Sequence, residues 1–387
     1  MNKRLVKYIS IAALSLGAVS TISQEQNVIA SEVSVTRISG ETRYQTATNI
    51  SQNVYDRAQT VFIANAMNFA DALSGGPLAY QSEAPILLAH GNSLRAETTK
   101  EITRLGAKKA VILGGEAAIS KSIENELKNL GLSIERLAGE TRFETSQIIA
   151  DRIDANSNGS TAVVVDGYNF ADALSIAPFA TWENMPIYLT RPDKLPNEKS
   201  LKKYYKTYII GGETAVSKNV EKQLNTPTRI AGANRFQTNL KVLEYFGSRN
   251  GNLIVATGMS FADALTGSTV ASRQSTGILL TRNPQLSYEQ KEYLYSSRFK
   301  NITILGGPVS VSSRIETQLE EHENYTSKLT PPSTSDGWVK TGEFTYEKDL
   351  GGGTMQYWSY GEIWTISGGD WDDLIDDDTV YGNHNNE

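Results

Sequence analysis

The chain of 387 residues contains no cysteine. Disulfides, thiolate metal ligands and a lipid anchor on an N-terminal cysteine are therefore excluded, and packing and hydrogen bonding must hold the fold. Histidine is nearly as scarce. His90, His322 and His384 are scattered along the chain, which argues against a histidine-rich zinc site. No G-x-G-x-x-G follows a strand, and there is no P-loop, H-E-x-x-H or G-x-S-x-G, so no cofactor, metal or catalytic residue is expected. The one mostly apolar stretch that looks like a targeting signal lies at the start. Lys3, Arg4 and Lys7 precede Tyr8–Ile22, and Val28-Ile29-Ala30 offers small residues for cleavage, so residues 1–30 read as a secretory signal peptide. That run falls short of the ~20 residues a membrane span needs.

Charge is unevenly spread. The whole chain carries a formal −6, yet from Asp336 onward twelve Asp and Glu face only Lys340 and Lys348. The body is slightly positive and the tail strongly negative, so the two parts should have different partners.

What is abundant is repetition. NFADAL stands at Asn68–Leu73 and Asn169–Leu174, and SFADAL at Ser260–Leu265. Each copy sits in the same frame, opened by RISGETRYQT (Arg37–Thr46), RLAGETRFET (Arg136–Thr145) and RIAGANRFQT (Arg229–Thr238). The frame continues through APILL, MPIYL and TGILL and closes on a double glycine: Gly114-Gly115, Gly211-Gly212 and Gly306-Gly307. A period of roughly 95 residues suits a small domain rather than a solenoid repeat.

Within each copy, strand and helix patterns alternate. Thr42, Thr141 and Asn234 begin capping boxes, and apolar residues then recur at helical spacing, as in Tyr44, Ala47, Ile50 and Val54. Apolar strands such as Val163-Val164-Val165 feed the FADAL segment, which is expected to be helical in all three copies. Asn68, Asn169 or Ser260 would cap it, with Asp71, Asp172 or Asp263 near its positive end. Ser120, Ser217 and Ser312 open a last helix. Uniformly apolar strands alternating with amphipathic helices imply α/β units with parallel sheets, Rossmann-like or flavodoxin-like. We read repeats at 31–131, 132–225 and 226–325, a linker at 326–337 and a C-terminal module at 338–387.

The set of RISG-x-x-RY, FADAL, PILL and LGG phrases, spanning Val35–Glu320, resembles the type 2 cell-wall-binding repeat of Gram-positive surface proteins. The resemblance implies three Rossmann-like domains in a pseudo-threefold module that binds an anionic secondary cell-wall polymer or a peptidoglycan-associated glycopolymer. It also implies a secreted, wall-located protein with no nucleic-acid partner and no membrane span once mature. No apolar segment or sortase-type motif follows the repeats, so attachment is expected to be non-covalent. The third copy departs from the others with Ala233-Asn234 for Glu-Thr and Gly277 for the proline of PILL.

The candidate polymer-binding residues are Arg43, Arg142 and Arg235 with the glycines Gly114, Gly115, Gly211, Gly212, Gly306 and Gly307. A cation in the first turn of a helix is disfavoured by a few tenths to ~1 kcal/mol, so each arginine needs a partner. Two fit: the FADAL aspartate in an internal ion pair, or an anion on a polymer. The glycine pairs fit either open amides at a helix start, where anions bind, or tight strand–helix packing.

The tail is rich in Trp, Tyr, Gly and Asp, and reads as a small β-structure or a partly disordered acidic end. Its stretch Gly351–Gly361 resembles the start of lactococcin-like bacteriocins, which would make the tail an active module with an unknown target. Asp370–Asp378 lacks the spacing of an EF-hand and reads as a solvated acidic surface. The rival reading for the whole chain is a peptidoglycan hydrolase or a modifier of one.

Overall fold

The computed structural model describes residues 33–154, 160–323, 334–342, 345–351, 354–359 and 362–367. Residues 1–30, read above as a signal peptide, and the Asp370–Asp378 run lie outside these residues. The first repeat runs β1 (Ser34–Ile38), α1 (Arg43–Val54), β2 (Thr60–Asn65), α2 (Gly76–Gln81), β3 (Ile86–Ala89), α3 (Ala96–Leu105), β4 (Lys109–Leu113) and α4 (Lys121–Asn129). The second runs β5 (Ser133–Leu137), α5 (Arg142–Asp154), β6 (Thr161–Asp166), α6 (Ala171–Trp182), β7 (Ile187–Thr190), α7 (Glu198–Leu201), β8 (Lys206–Ile210) and α8 (Lys218–Glu221). The third runs β9 (Pro227–Ile230), α9 (Arg235–Phe246), β10 (Asn252–Thr257), α10 (Ala262–Arg273), β11 (Ile278–Thr281), α11 (Tyr288–Ser297), β12 (Asn301–Leu305) and α12 (Ser313–Glu320).

The α/β reading with parallel sheets holds, but the sheets do not follow the repeats as written. Their orders are β3-β2-β4-β5, β7-β6-β8-β9 and β11-β10-β12-β1. Each sheet takes its last strand from the repeat that follows, and the third takes β1 from the start of the chain. β1 lies parallel to β12 with Val35 opposite Ile302 and Ile38 opposite Leu305. The three units therefore close into a ring.

A recurring strut locks each exchanged strand. Arg37 reaches Glu316 at 2.9 Å, Arg136 reaches Glu124 at 3.1 Å and Arg229 reaches Glu221 at 2.8 Å. The same arginines donate to the carbonyls of Gly306, Gly114 and Gly211. Lys128, with Lys121 and Arg136, holds the Glu124 carboxyl down at about 2. The phrase order names these arginines, yet their partners lie in the preceding repeat. An acid four residues after Ser120, Ser217 and Ser312 was the sequence signal for the other half of the strut.

Helices α2, α6 and α10 pack on one another at the centre, and α1, α5 and α9 each pack on the central helix of the preceding repeat in the ring. Every residue of α6 from Ala171 to Thr181 is buried, which explains why that helix is apolar all round. One continuous apolar core draws residues from all three repeats.

The FADAL expectation needs correction in the first repeat, where residues 70–74 form turns and α2 begins only at Gly76. Pro178 is accommodated inside α6, whereas the matching Pro77 follows Gly75-Gly76, and two glycines before a proline cost too much backbone entropy to hold a helix. The caps at the RYQT phrase also differ in detail. Thr42 accepts from Gln45 N, but the Gln45 side chain reaches back to Glu41 N, one residue beyond the cap, and Glu144 and Gln237 do the same to Glu140 and Ala233. The phrase's closing threonines, Thr46, Thr145 and Thr238, accept from Gly40, Gly139 and Gly232 N.

The tail forms a separate antiparallel sheet of β13 (Val339–Gly342), β14 (Thr345–Gly351), β15 (Thr354–Ser359) and β16 (Glu362–Ser367), in that order. This is the small β-structure that its alternating Tyr and Trp positions suggest. No helix among the described residues is long and apolar enough to cross a membrane.

Candidate functional site

Ring closure brings the candidate residues together at the three junctions between repeats. Arg43, Arg142 and Arg235 begin α1, α5 and α9 and are half-buried. Each sends one guanidinium nitrogen to the carbonyl just past a strand end: Ala66 O at 2.6 Å, Gly167 O at 2.7 Å and Gly258 O at 3.0 Å. These bonds relieve part of the cost of a cation at a helix start. Among the described residues no carboxylate lies within ion-pair distance of any of the three, so the internal ion pair is not formed. The other nitrogens of each guanidinium make no hydrogen bond among the described residues. Arg142 lies over the Tyr168 ring and Arg235 over the Phe170 ring, each at 5.4 Å.

The FADAL aspartates are not simple caps. Asp172 and Asp263 are only 7 % exposed, and each aspartate lies against the first glycine of a pair. A Cβ added to Gly114, Gly211 or Gly306 would come under 3.0 Å from the Oδ2 of Asp71, Asp172 or Asp263. Each aspartate also feels the arginine of the next repeat in the ring: Asp71 feels Arg142, Asp172 feels Arg235 and Asp263 feels Arg43. Burial outweighs that attraction and pushes all three carboxyls up, and the neighbouring Asp166 helps lift Asp172 to about 7.

The two members of each glycine pair have different surroundings. The expected open amides are not found on the first glycines. Gly114, Gly211 and Gly306 donate to Leu137, Ile230 and Ile38 O on the exchanged strands, and their φ angles of 107°, 113° and 101° lie where side chains are rarely tolerated. They are packing residues, as the alternative reading allowed. A Cβ on Gly115, Gly212 or Gly307 would meet nothing within 4 Å, so the second glycines border open space. Gly114→Ala is therefore expected to cost about 3 kcal/mol through backbone strain and the clash with Asp71, while Gly115→Ala stays within about 0.5 kcal/mol of the original. Denaturant unfolding of the two variants checks this, and equal losses would mean the two glycines do the same job.

Between the junctions, the FADAL phenylalanines meet. Phe69 and Phe170 are 5.4 Å apart, Phe69 and Phe261 5.7 Å, and Phe170 and Phe261 6.3 Å, a triangle of mostly edge-on rings. Met67, Tyr168 and Met259, two residues before them, are exposed. This aromatic meeting point escaped the sequence reading, although the recurrence of one phenylalanine in three copies was its signal.

Parallel α/β units closed by strand exchange, with arginine, aspartate and double glycine recurring at every junction, define a threefold repeat module. The chain belongs to the Cell wall binding domain 2 (CWB2) family, whose profile matches residues 37–124, 136–221 and 229–316. Each matched segment begins at a strut arginine and ends at a strut glutamate, although the two bond to neighbours and not to each other. The chain is 32% identical over 291 residues to N-acetylmuramoyl-L-alanine amidase LytC of Bacillus subtilis (strain 168), covering 74% of this chain and 58% of that protein. It is 32% identical over 298 residues to the Amidase enhancer of the same organism, covering 76% of this chain and 41% of that protein. The chain thus spans about half the length of the curated relatives it matches. Among solved structures, Cwp8 from Clostridium difficile superposes with a TM-score of 0.70 at 34% identity, covering 76% of this chain and 52% of that one.

Proposed function

We propose that residues 31–325 hold this protein non-covalently to an anionic cell-wall glycopolymer, and that the chain is a secreted, non-enzymatic surface protein displaying residues 338–387. The observation that carries this is the threefold arginine: half-buried, anchored through one nitrogen to a backbone carbonyl, and without a carboxylate at ion-pair distance among the described residues. A cation fixed in that way is ready for a phosphate or uronate at little further entropic cost. The open second glycines, Gly115, Gly212 and Gly307, let a polymer backbone approach closely. Family membership supports wall binding, and the lack of nucleophile and metal motifs in the sequence supports a binding role rather than catalysis.

Deleting residues 338–387 is expected to leave wall retention unchanged, since the acidic tail is repelled by an anionic wall. A sedimentation assay with protein-free walls of Bacillus subtilis tests it, and a truncated protein that washes off walls retaining the full chain overturns the division of labour. A second reading, a modifier of a wall hydrolase, draws on the 32% identity to the Amidase enhancer. Zymography with and without an added amidase separates the two.

A further inference from the structure

The three junctions differ in the strand-end residue beside each arginine's carbonyl partner. Each arginine donates to the carbonyl of the residue that follows a strand end, and the strand-end residues are Asn65, Asp166 and Thr257. All three side chains are buried and each accepts an amide two residues on, while Asn65 also donates its side-chain amide to Ala118 O. Met67 N donates to Asn65 Oδ1 at 2.7 Å, Tyr168 N to Asp166 Oδ1 at 3.0 Å and Met259 N to Thr257 Oγ1 at 3.2 Å. A neutral acceptor suffices in the first and third repeats, so the turn does not require a carboxylate in the second.

We propose that Asp166 makes the Arg142 junction the weak, proton-gated member of the three anion sites. This inference rests on the anion-site reading of the arginines given above. The charged groups around Asp166 come from every side. Arg142 on α5 holds the adjacent Gly167 carbonyl, Asp172 stands at the start of α6, Arg235 on α9 faces Asp172, and Asp71 of the first repeat faces Arg142. Arg191 is exposed, 5.0 Å over the ring of Phe143, the neighbour of Arg142. Arg142 thus answers to two carboxylates, Asp71 and Asp166, where Arg43 answers to Asp263 and Arg235 to Asp172.

An ionised Asp166 cancels the field that an incoming phosphate or uronate would meet, and a protonated Asp166 does not. Burial raises the Asp166 carboxyl above its ordinary range, against the pull of Arg142 and the Tyr168 amide. Because the protonated form persists to higher pH than usual, binding at this junction strengthens as pH falls and weakens as pH rises through that raised range. The FADAL aspartates give every junction some of this dependence, and Asp166 adds a second carboxylate to it at the Arg142 junction.

The test isolates each junction in the full chain. With Arg43→Gln and Arg235→Gln in place, only Arg142 is left to hold an anion, and retention on protein-free Bacillus subtilis walls is expected to be about tenfold stronger at a pH below the raised Asp166 range than at one above it. Adding Asp166→Asn, or Asp166→Thr to keep only the acceptor, should raise binding at the higher pH about tenfold and flatten the profile. With Arg142→Gln alone, the same Asp166 changes should alter binding far less, because only the indirect route through Asp172 to Arg235 remains. The reciprocal Asn65→Asp, placed where Arg142→Gln and Arg235→Gln leave Arg43 alone, should give the Arg43 junction the same pH dependence. It also decides the matter if the Asp166 variants fail to fold. Folded Asp166 variants with unchanged affinity and pH profile, or an Asn65→Asp variant without pH dependence, overturn the proposal. Loss of binding in the triple arginine variant would still leave the anion-site reading standing. Failure of the unaltered protein to bind the walls overturns both.

Discussion

Replacing Arg43, Arg142 and Arg235 together by glutamine is expected to weaken wall retention by about a hundredfold or more, because each lost contact to an anion is a charge-assisted bond of about 1.5–3 kcal/mol. Stability should change far less. Each substitution removes one hydrogen bond to a carbonyl, at Ala66, Gly167 or Gly258, with a net contribution of about 1 kcal/mol. It also removes a cation from a helix start, which returns a few tenths of a kcal/mol. The aspartates that face these arginines are already pushed toward their neutral form by burial, Asp172 to about 7. Losing the arginine pushes these carboxyls further toward the neutral form, which offsets part of the cost of leaving a buried charge unpaired. Melting curves and wall sedimentation on the same samples decide the point. Unaltered binding should also weaken with added salt. A melting temperature that collapses together with binding would show that the arginines are internal supports.

Removing residues up to and including Ile38 should unfold the third repeat rather than the first. β1 contributes no strand to the sheet of its own repeat, and its absence strips the edge from β12. Five register pairs are lost, together with the Arg37–Glu316 ion pair, the Arg37 bond to Gly306 O at 2.7 Å and the Gly306 N bond to Ile38 O at 2.9 Å. At about 1 kcal/mol per hydrogen bond, with the burial of Val35 and Ile38 added, the loss is on the order of 5–10 kcal/mol, comparable with the whole stability of a small domain. Hydrogen exchange should show protection falling at β10, β12 and α12 while β2 and β4 keep theirs. Loss confined to residues 43–129, or no loss at all, would contradict the ring closure.

Much of this protein is fixed by local rules that its residues state openly. Val163–Val165 and Leu253–Ala256 are apolar throughout because both faces of a parallel strand are covered. Ser217 and Ser312 accept from Val220 and Ile315 N at helix starts, as their position before an apolar helix face demands. The recurring arginines could be identified from the conflict between their charge and a helix N-terminus. What needed the tertiary structure was the identity of non-local partners. In a tandem repeat the R-x-x-G strand comes between two sheets, and its sequence is equally consistent with joining either. Parallel pairing depends on the packing of whole faces across long stretches of chain, so only the assembled ring sends β1 to β12 and Arg37 to Glu316. The same closure takes the Gly114, Gly211 and Gly306 amides into strand bonds and turns three apparent helix-start acids, Asp71, Asp172 and Asp263, into junction residues facing the arginine of the next repeat in the ring. A short-range pattern can specify a charge or a turn, but which charge it meets is set by surfaces that come together only when the third repeat closes on the first.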